Sequence, residues 1–234
     1  MKSLTILIPF YNEERTLPTL VYQISELPSG VVNNVIFVND GSTDSSLTLL
    51  QSAVASNNLN CKIISKSNGG KASAVKAGAT HLETSHVVIL DADLELKTSD
   101  VIRLWEAVLE HDLEAAFGFR RFLSQSSFTY RYVKGNQFIS QFYGILFNEV
   151  ATDIMCGLKL IPSKILAQMD FRLKKFAVEI EIPLELLKHK LRPYEIEVYY
   201  KPRTREEGKV IGIRDAIYII YAMILIRIKW IFKK

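Results

Sequence analysis

Two carboxylates one residue apart, Asp91 and Asp93, close the apolar run Val87-Val88-Ile89-Leu90. Three of those four residues are β-branched, and a short run of this kind reads as a strand buried on both faces. Open α/β sheets place their ligand crevices at the carboxyl ends of such strands. Charges brought that close to a core need a positive partner, and for paired carboxylates a divalent cation is the usual one. A cation so held can also bind a diphosphate. Taken alone, the pair fits a solvated Asp-x-Asp turn as well as it fits a metal site.

Three other strand ends carry polar turns. The first apolar run ends in Pro9-Phe10-Tyr11-Asn12-Glu13-Glu14. Proline should stop the ladder there, an aromatic ring can stack on a base, and a carboxylate can accept from a base N–H or a ribose hydroxyl. Asn-Glu-Glu equally well opens a helix. The second run ends in Asn39-Asp40-Gly41-Ser42-Thr43-Asp44. Gly41 permits a tight turn and Ser42 or Thr43 can cap the next helix, so a well-made β–α turn accounts for this piece by itself. The third is Asn68-Gly69-Gly70-Lys71, where glycine N–H groups and a lysine at a helix start can approach an anion. It is neither a Walker loop nor a Gly-x-Gly-x-x-Gly dinucleotide fingerprint.

The elements that must position these turns alternate in type. Strands are expected at Leu4–Ile8, Val35–Val38, Lys62–Ile64, His86–Leu90 and Ala115–Phe119, with helices near 16–27, 43–56, 71–82 and 98–110. That order predicts an α/β fold built from βαβ units, with a mostly parallel sheet and right-handed crossovers. Thr98 or Ser99 is the expected cap of the fourth helix. Residues 121–132, polar with interspersed aromatics, read as a loop. A helix near 133–147, a strand near 157–161, a helix near 177–190 and a strand over Tyr194–Tyr200 follow. Residues 1–205 are expected to form one domain, and 206–234 a separate basic and apolar segment.

Composition narrows the classes further. The chain has 234 residues, 48% of them hydrophobic and 23% charged, which suits one globular domain with an appendage. Cys61 and Cys156 stand far apart with no metal spacing, pointing to a reducing compartment. The start shows no signal-peptide pattern. The net charge of +4 divides into +6 over residues 201–234 and −2 before them. A basic tail beside apolar residues favours anionic lipid or phosphate. Zinc-knuckle, helix-turn-helix and stacking motifs are missing, so nucleic acid is not an expected partner. Ala216–Ile226 is uncharged but about half the ~20 residues that span a bilayer. An interfacial helix with snorkelling cations, a contact with a second subunit and a strained span all remain open for it. The four histidines are scattered and read as structural.

Four polar strand-end turns in this order resemble family 2 glycosyltransferases of the GT-A fold, and within them the polyprenyl-phosphate group typified by dolichyl-phosphate mannose synthase. The matching pieces are Ile8–Glu13, Asn39–Asp44, Asn68–Lys71 and Asp91-Ala92-Asp93-Leu94-Glu95. Further along come Gly118-Phe119-Arg120, Thr152-Asp153, Cys156-Gly157-Leu158-Lys159, Glu179-Ile180-Glu181 and Arg203-Thr204-Arg205-Glu206-Glu207-Gly208-Lys209. The resemblance implies a nucleotide-sugar donor framed by Pro9, Tyr11, Glu13 and Asp40, with Gly70, Lys71 and Asp91 toward the phosphates. It implies Mg²⁺ or Mn²⁺ on Asp91 and Asp93. This chain has Asn39 where the family often has Asp, and Glu95 where it often has Gln, which makes Glu95 a third candidate ligand.

A polyprenyl-phosphate acceptor would change the catalytic demand. A phosphate monoester has a second pKa of about 6, so its oxygen is already anionic at neutral pH. The site then needs cations that relieve repulsion between acceptor and donor, and arginine forks suit phosphate. Arg120, Arg131, Arg203 and Arg205, with Lys209 behind them, are the candidates for that clamp. Asp93, Asp153, Arg120 and Arg203 are the candidates for direct catalytic roles, Asp153 through orientation before proton abstraction. Glu179 and Glu181 either hold the arginine loops or line a helix face. The expected reaction is a single displacement with inversion, by an enzyme peripheral to the cytoplasmic face of a membrane. The competing readings are a transferase with a polysaccharide or protein acceptor, and a non-catalytic subunit at a membrane. A haloacid-dehalogenase-type phosphatase fits less well, since it carries its Asp-x-Asp on the first strand and Thr or Val where Glu95 stands.

Overall fold

The computed structural model describes residues 2–121, 130–171, 178–202 and 213–231. Strands β1 (Leu4–Phe10), β2 (Asn34–Asn39), β3 (Lys62–Ser65) and β4 (His86–Ile89) are separated by helices α1 (Leu17–Ser25), α2 (Ser46–Ser56) and α3 (Lys71–Ala79). The chain continues through α4 (Thr98–Glu110), β5 (Ala116–Arg120), α5 (Tyr130–Phe147), β6 (Lys159–Pro162), α6 (Ser163–Gln168), α7 (Val178–Lys188), β7 (Tyr194–Val198) and α8 (Ile213–Ile231). Among the described residues the strands make one seven-stranded sheet in the order β3-β2-β1-β4-β6-β5-β7. β6 runs antiparallel to β4 and β5, and the other pairings are parallel. This is the mostly parallel α/β sheet that the alternating pattern predicts.

Both faces of the sheet are covered, which explains why its central strands read as continuous apolar runs. Leu4, Ile6, Ile8 and Phe10 of β1 join Val35, Phe37, Val88 and Leu90 in one core, on the side of α1 and α4. Leu7 joins Ile36, Val38, Val87 and Ile89 in the other, on the side of α3, α6 and α7. The two-residue period assigns each side chain to its layer.

Several boundaries differ from the sequence expectation, each for a local reason. β1 does not stop at Pro9 but runs to Phe10, with Pro9 in register with Val38 of β2. The last bond from the β4 side is donated by the Leu90 N–H to the Leu7 carbonyl at 3.0 Å. Pro9 shares the strand side of Leu7, so its missing N–H falls beyond that bond and costs the ladder nothing. β1 and β4 therefore part at their carboxyl ends, where the strand order reverses. α2 starts at Ser46, not near 43, because the Ser42 N–H is drawn back to Asn39 Oδ1 at 2.8 Å. Carboxylates serve that helix start instead of a hydroxyl cap: Asp44 accepts from the Ser46 N–H and Glu14 from the Ser45 N–H, both at 3.0 Å. α4 follows an extended Lys97 without a side-chain cap. α5 begins at Tyr130, within the expected loop, whose residues 122–129 lie outside the described residues. α6 was not anticipated.

The C-terminal helix is present and longer than the uncharged run. Its Ile219 and Met223 pack on Ile139, Tyr143 and Phe147 of α5 and on Ile180 and Leu184 of α7. Among the described residues no helix is long and apolar enough to cross a membrane.

α3 lies so close to the sheet that a Cβ on Gly78 would come 2.3 Å from Leu7 Cδ1 and 2.9 Å from Val38 Cγ2. Gly78→Val should therefore lose about 1–3 kcal/mol through overpacking, read as a lower urea midpoint at unchanged slope.

Candidate active site

The four expected turns meet along the carboxyl edge of β1–β4, and side-chain hydrogen bonds tie them in pairs. After β1, Asn12 adopts a left-handed conformation (φ 54°). Its Oδ1 accepts the Thr43 N–H at 2.8 Å, and its own N–H donates to Ser42 Oγ at 3.0 Å. The Glu13 N–H donates to Ser46 Oγ at 2.7 Å. The loops after β1 and β2 thus form one surface, from which the Tyr11 ring is exposed.

Asp40 is buried, and the structure gives it an internal task. Its carboxylate accepts from the Gly69 N–H at 3.0 Å, the Gly70 N–H at 2.6 Å and Lys66 Nζ at 2.7 Å. The glycine-rich helix start therefore does receive an anion, but one supplied by the protein itself. The expected anion partner of these glycine N–H groups is thus met, in this structure, by Asp40. Gly41 is required here twice over: its φ is +73°, and a Cβ would come 2.7 Å from the Asn68 backbone N.

Lys71 opens α3 and reaches across to the end of β4. Its Nζ lies 2.5 Å from Asp91 Oδ1 and 2.7 Å from Glu179 Oε1 of α7. Glu179 also pairs with Lys159, a lysine 1% exposed that donates to the carbonyls of Ile154 and Cys156. Burial by itself would lower the Lys71 pKa, but Asp91 and Glu179 outweigh it and hold the ammonium above an ordinary lysine. Burial would likewise raise Glu179, yet Lys159 and Lys71 keep it below the usual carboxylate value. Glu179 was expected to hold arginine loops or to line a helix face. It holds two lysines instead.

Asp91 Oδ2 lies against Gly157, where an added Cβ would come within 2.3 Å of it. The next carboxylate, Asp93, accepts the Glu95 N–H at 3.1 Å, and Leu94 between them is left-handed (φ 59°). The Glu95 side chain turns away to accept from the Tyr200 hydroxyl at 2.7 Å. Among the described residues no three His, Cys, Asp or Glu side chains are grouped to hold one ion. Asp91 and Asp93 still fit a small hard cation, which commonly takes one or two carboxylates and completes its shell with substrate phosphate and water. Glu95, the expected third ligand, is partnered by Tyr200.

A second buried cluster centres on Arg120, at the end of β5, and Asp153. The guanidinium forks onto the carboxylate, Nε to Oδ2 at 2.6 Å and Nη2 to Oδ1 at 2.9 Å, with both side chains buried. Nη1 donates to the Tyr132 hydroxyl at 3.1 Å, which lies 3.3 Å from the Tyr200 hydroxyl. The Tyr200 ring also sits under the guanidinium at 4.9 Å. Burial alone would lower the Arg120 pKa, but Asp153 outweighs it and holds the guanidinium well above its ordinary value. Arg120, expected in the phosphate clamp, is thus paired with Asp153. Cys156 beside them is pushed up to about 12 by burial and by Asp153, so it remains a thiol and not a nucleophile. Arg131 is exposed on the first turn of α5, while Arg203, Arg205 and Lys209 lie outside the described residues.

Sequence reasoning missed Lys66, Tyr132 and Tyr200, and it placed Lys159 in a matching piece without giving it a role. The signal for Lys159 was a lysine between Leu158 and Leu160 in a buried strand.

The mostly parallel α/β sheet, with paired carboxylates where its strand order reverses, is a GT-A fold, that of transferases that use a nucleotide sugar. The model of glycosyl transferase family 2 matches residues 5–169, and the chain belongs to that family. It is 25% identical over 202 residues to the glycosyltransferase AglJ of Haloferax volcanii, covering 85% of this chain and 63% of that protein. An uncharacterized protein of Methanocaldococcus jannaschii is 24% identical over 198 residues, 78% of this chain and 81% of its own. Among solved structures, glucosyl-3-phosphoglycerate synthase from Mycobacterium tuberculosis, with Mn²⁺, UDP and phosphoglyceric acid, superposes with a TM-score of 0.74. The match is 17% identical and covers 97% of this chain and 78% of that one.

Removing one partner of a buried ion pair strands the other. Asp153→Asn should cost about 3–5 kcal/mol in denaturant unfolding. Adding Arg120→Met to it should recover part of that loss, because no unpaired charge remains. The introduced amide oxygen can still accept the backbone N–H of residue 120, a bond that Asp153 Oδ2 makes at 3.2 Å in the native chain.

Proposed function

We propose that the chain transfers a sugar, with inversion, from a nucleotide sugar such as GDP-mannose or a UDP-hexose to a polyprenyl phosphate of the dolichyl type. The observation that carries this reading is the closed Arg120–Asp153 fork. A hydroxyl acceptor needs a base to take its proton in the transition state. Asp153 is the acceptor-side carboxylate that could serve, but it is buried and both its oxygens are engaged by Arg120. A phosphate acceptor brings an oxygen that is already anionic, so the fork can act as a rigid wall.

The work left to the protein is positioning and charge balance. Tyr11 and Glu13 frame the nucleoside, Asp40 orders the loop that carries Lys71, and Lys71 meets the donor phosphates. A Mg²⁺ or Mn²⁺ ion on Asp91 and Asp93 would neutralise charge on the departing nucleoside diphosphate. Arg131, Arg203, Arg205 and Lys209 supply the cations for the acceptor phosphate. Phosphoglyceric acid in the mycobacterial synthase structure is also a phosphate-bearing compound, so a small phosphorylated acceptor is a distinct outcome of the test.

The lipid part of the acceptor is supported by α8. Ile217, Tyr221, Ile224 and Ile228 recur at helical spacing and are all exposed, opposite the face that packs on α5. Lys229 is exposed beside them, and the segment is strongly basic. An apolar stripe flanked by cations suits the interface of an anionic bilayer. Contact with a second copy of the chain is the alternative use of this face.

The purified enzyme, offered radiolabelled nucleotide sugars with Mg²⁺ or Mn²⁺, should label a short polyprenyl phosphate. It should leave the corresponding free polyprenol unlabelled. Label in phosphoglycerate alone, or in an oligosaccharide, would sink the lipid-phosphate reading. Sedimentation with vesicles containing phosphatidylglycerol should capture the protein, and Ile217→Glu with Ile224→Glu should lower the bound fraction severalfold. A fall in oligomeric state with unchanged vesicle binding would assign the stripe to a subunit contact.

A further inference from the structure

Asp91 is not waiting for a ligand. Lys71 already neutralises it at 2.5 Å, and Glu179 holds the same ammonium at 2.7 Å from the other side. The Lys71 side chain is 16% exposed and Asp91 30% exposed, while Glu179 and Lys159 behind them are 5% and 1% exposed. Lys159 is fixed in turn by the carbonyls of Ile154 and Cys156. The set Asp91, Lys71, Glu179 and Lys159 is thus a closed row of alternating charges with no net charge, anchored at its buried end and open at Asp91.

We infer that Lys71 is a resident counter-cation that competes with the divalent ion for Asp91, so that the metal and the nucleoside diphosphate enter together and not in sequence. This inference rests on the reading of Asp91 as a metal ligand. A divalent ion arriving alone must displace an ammonium tethered within contact distance, and it leaves two positive charges on one carboxylate. A diphosphate arriving alone brings negative charge to a carboxylate edge. When both arrive, the diphosphate oxygens offer Lys71 a replacement for Asp91, and Asp91 is released to the cation. Glu179 keeps its bond to Lys71 throughout, which limits how far the ammonium can swing. The buried half of the row supplies the tether and the exposed half makes the exchange.

The inference assigns Glu179 and Lys159 as positioning residues, acting through Lys71. It also gives Gly157 a second reason to be small. The hypothetical Cβ at that position would lie 3.3 Å from Lys71 Nζ as well as against Asp91 Oδ2. Any side chain would crowd the point where the exchange takes place.

The experiment is a Mn²⁺ titration followed by electron paramagnetic resonance at fixed pH, with and without GDP or UDP. The wild-type chain should bind Mn²⁺ weakly alone and markedly more tightly with nucleotide. Lys71→Met should bind Mn²⁺ alone roughly tenfold more tightly than wild type, and should lose most of the enhancement by nucleotide. Lys71→Gln keeps amide donors for Asp91 and Glu179 without the charge, and should behave the same way if the methionine variant folds poorly. Mn²⁺ binding to either variant no tighter than to wild type overturns the competition. Asp91→Asn separates the two layers: if it weakens Mn²⁺ binding while the Lys71 variants do not strengthen it, only the role of Lys71 fails. If Asp91→Asn leaves Mn²⁺ binding intact with nucleotide present, the assignment of Asp91 as a ligand fails.

Discussion

The ammonium of Lys71, held between Asp91 and Glu179, is the contact that ties the functional edge of the sheet to its interior. Its partners lie on different elements: the helix start after β3, the end of β4, and α7. Lys159 of β6 closes the row from beneath. An isolated charge at that depth would cost several kcal/mol, so each member is tolerated only because the others are present. A hydrophobic quartet could fill the same volume with equal or greater stability. What the charges add is a fixed placement of Asp91, because ion pairs with hydrogen-bond geometry specify direction and apolar contacts do not.

A second polar network runs from Glu95 to Asp153. Glu95 links to Tyr200, Tyr200 to Tyr132, Tyr132 to Arg120, and Arg120 to Asp153. The two networks converge on residues 153–159. Asp153 begins that stretch, Gly157 faces Asp91, and Lys159 ends it beside Glu179. A short segment leading into the antiparallel strand thus joins the two networks. In both networks the carboxylates are paired with cations or hydroxyls. On the proposed reading, the site works by orientation and charge balance more than by proton abstraction.

α8 divides its apolar residues between two tasks. Ile219, Ala222 and Met223 are buried, whereas Ile217, Tyr221, Ile224 and Ile228 are exposed. The packed face supplies most of the helix's stability, since helices in proteins are held mainly by tertiary packing of an apolar face. The exposed face is a larger apolar surface than the fold requires, and it lies in the most basic part of the chain.

The alternating apolar runs and helical stretches determined the sheet class and most element positions, because burial on two faces leaves a continuous β-branched signature that survives in one dimension. The polar turns at four strand ends were legible for the same reason: each belongs to a local β–α junction whose chemistry depends on adjacent residues. Pro9 misled the first boundary, since whether a proline interrupts a ladder depends on how far the neighbouring strand runs. The partners of the charges were decided by tertiary structure alone. Lys71 meets Glu179 across 108 positions and Arg120 meets Asp153 across 33. Nothing in the spacing of those residues encodes such meetings. The sequence therefore determined which edge of the sheet carries the chemistry. Only the fold decided that Asp153 is sealed by an arginine, that Glu95 belongs to a tyrosine, and that Asp91 holds a lysine of its own, because electrostatic pairing is fixed by distance in space and not by distance along the chain.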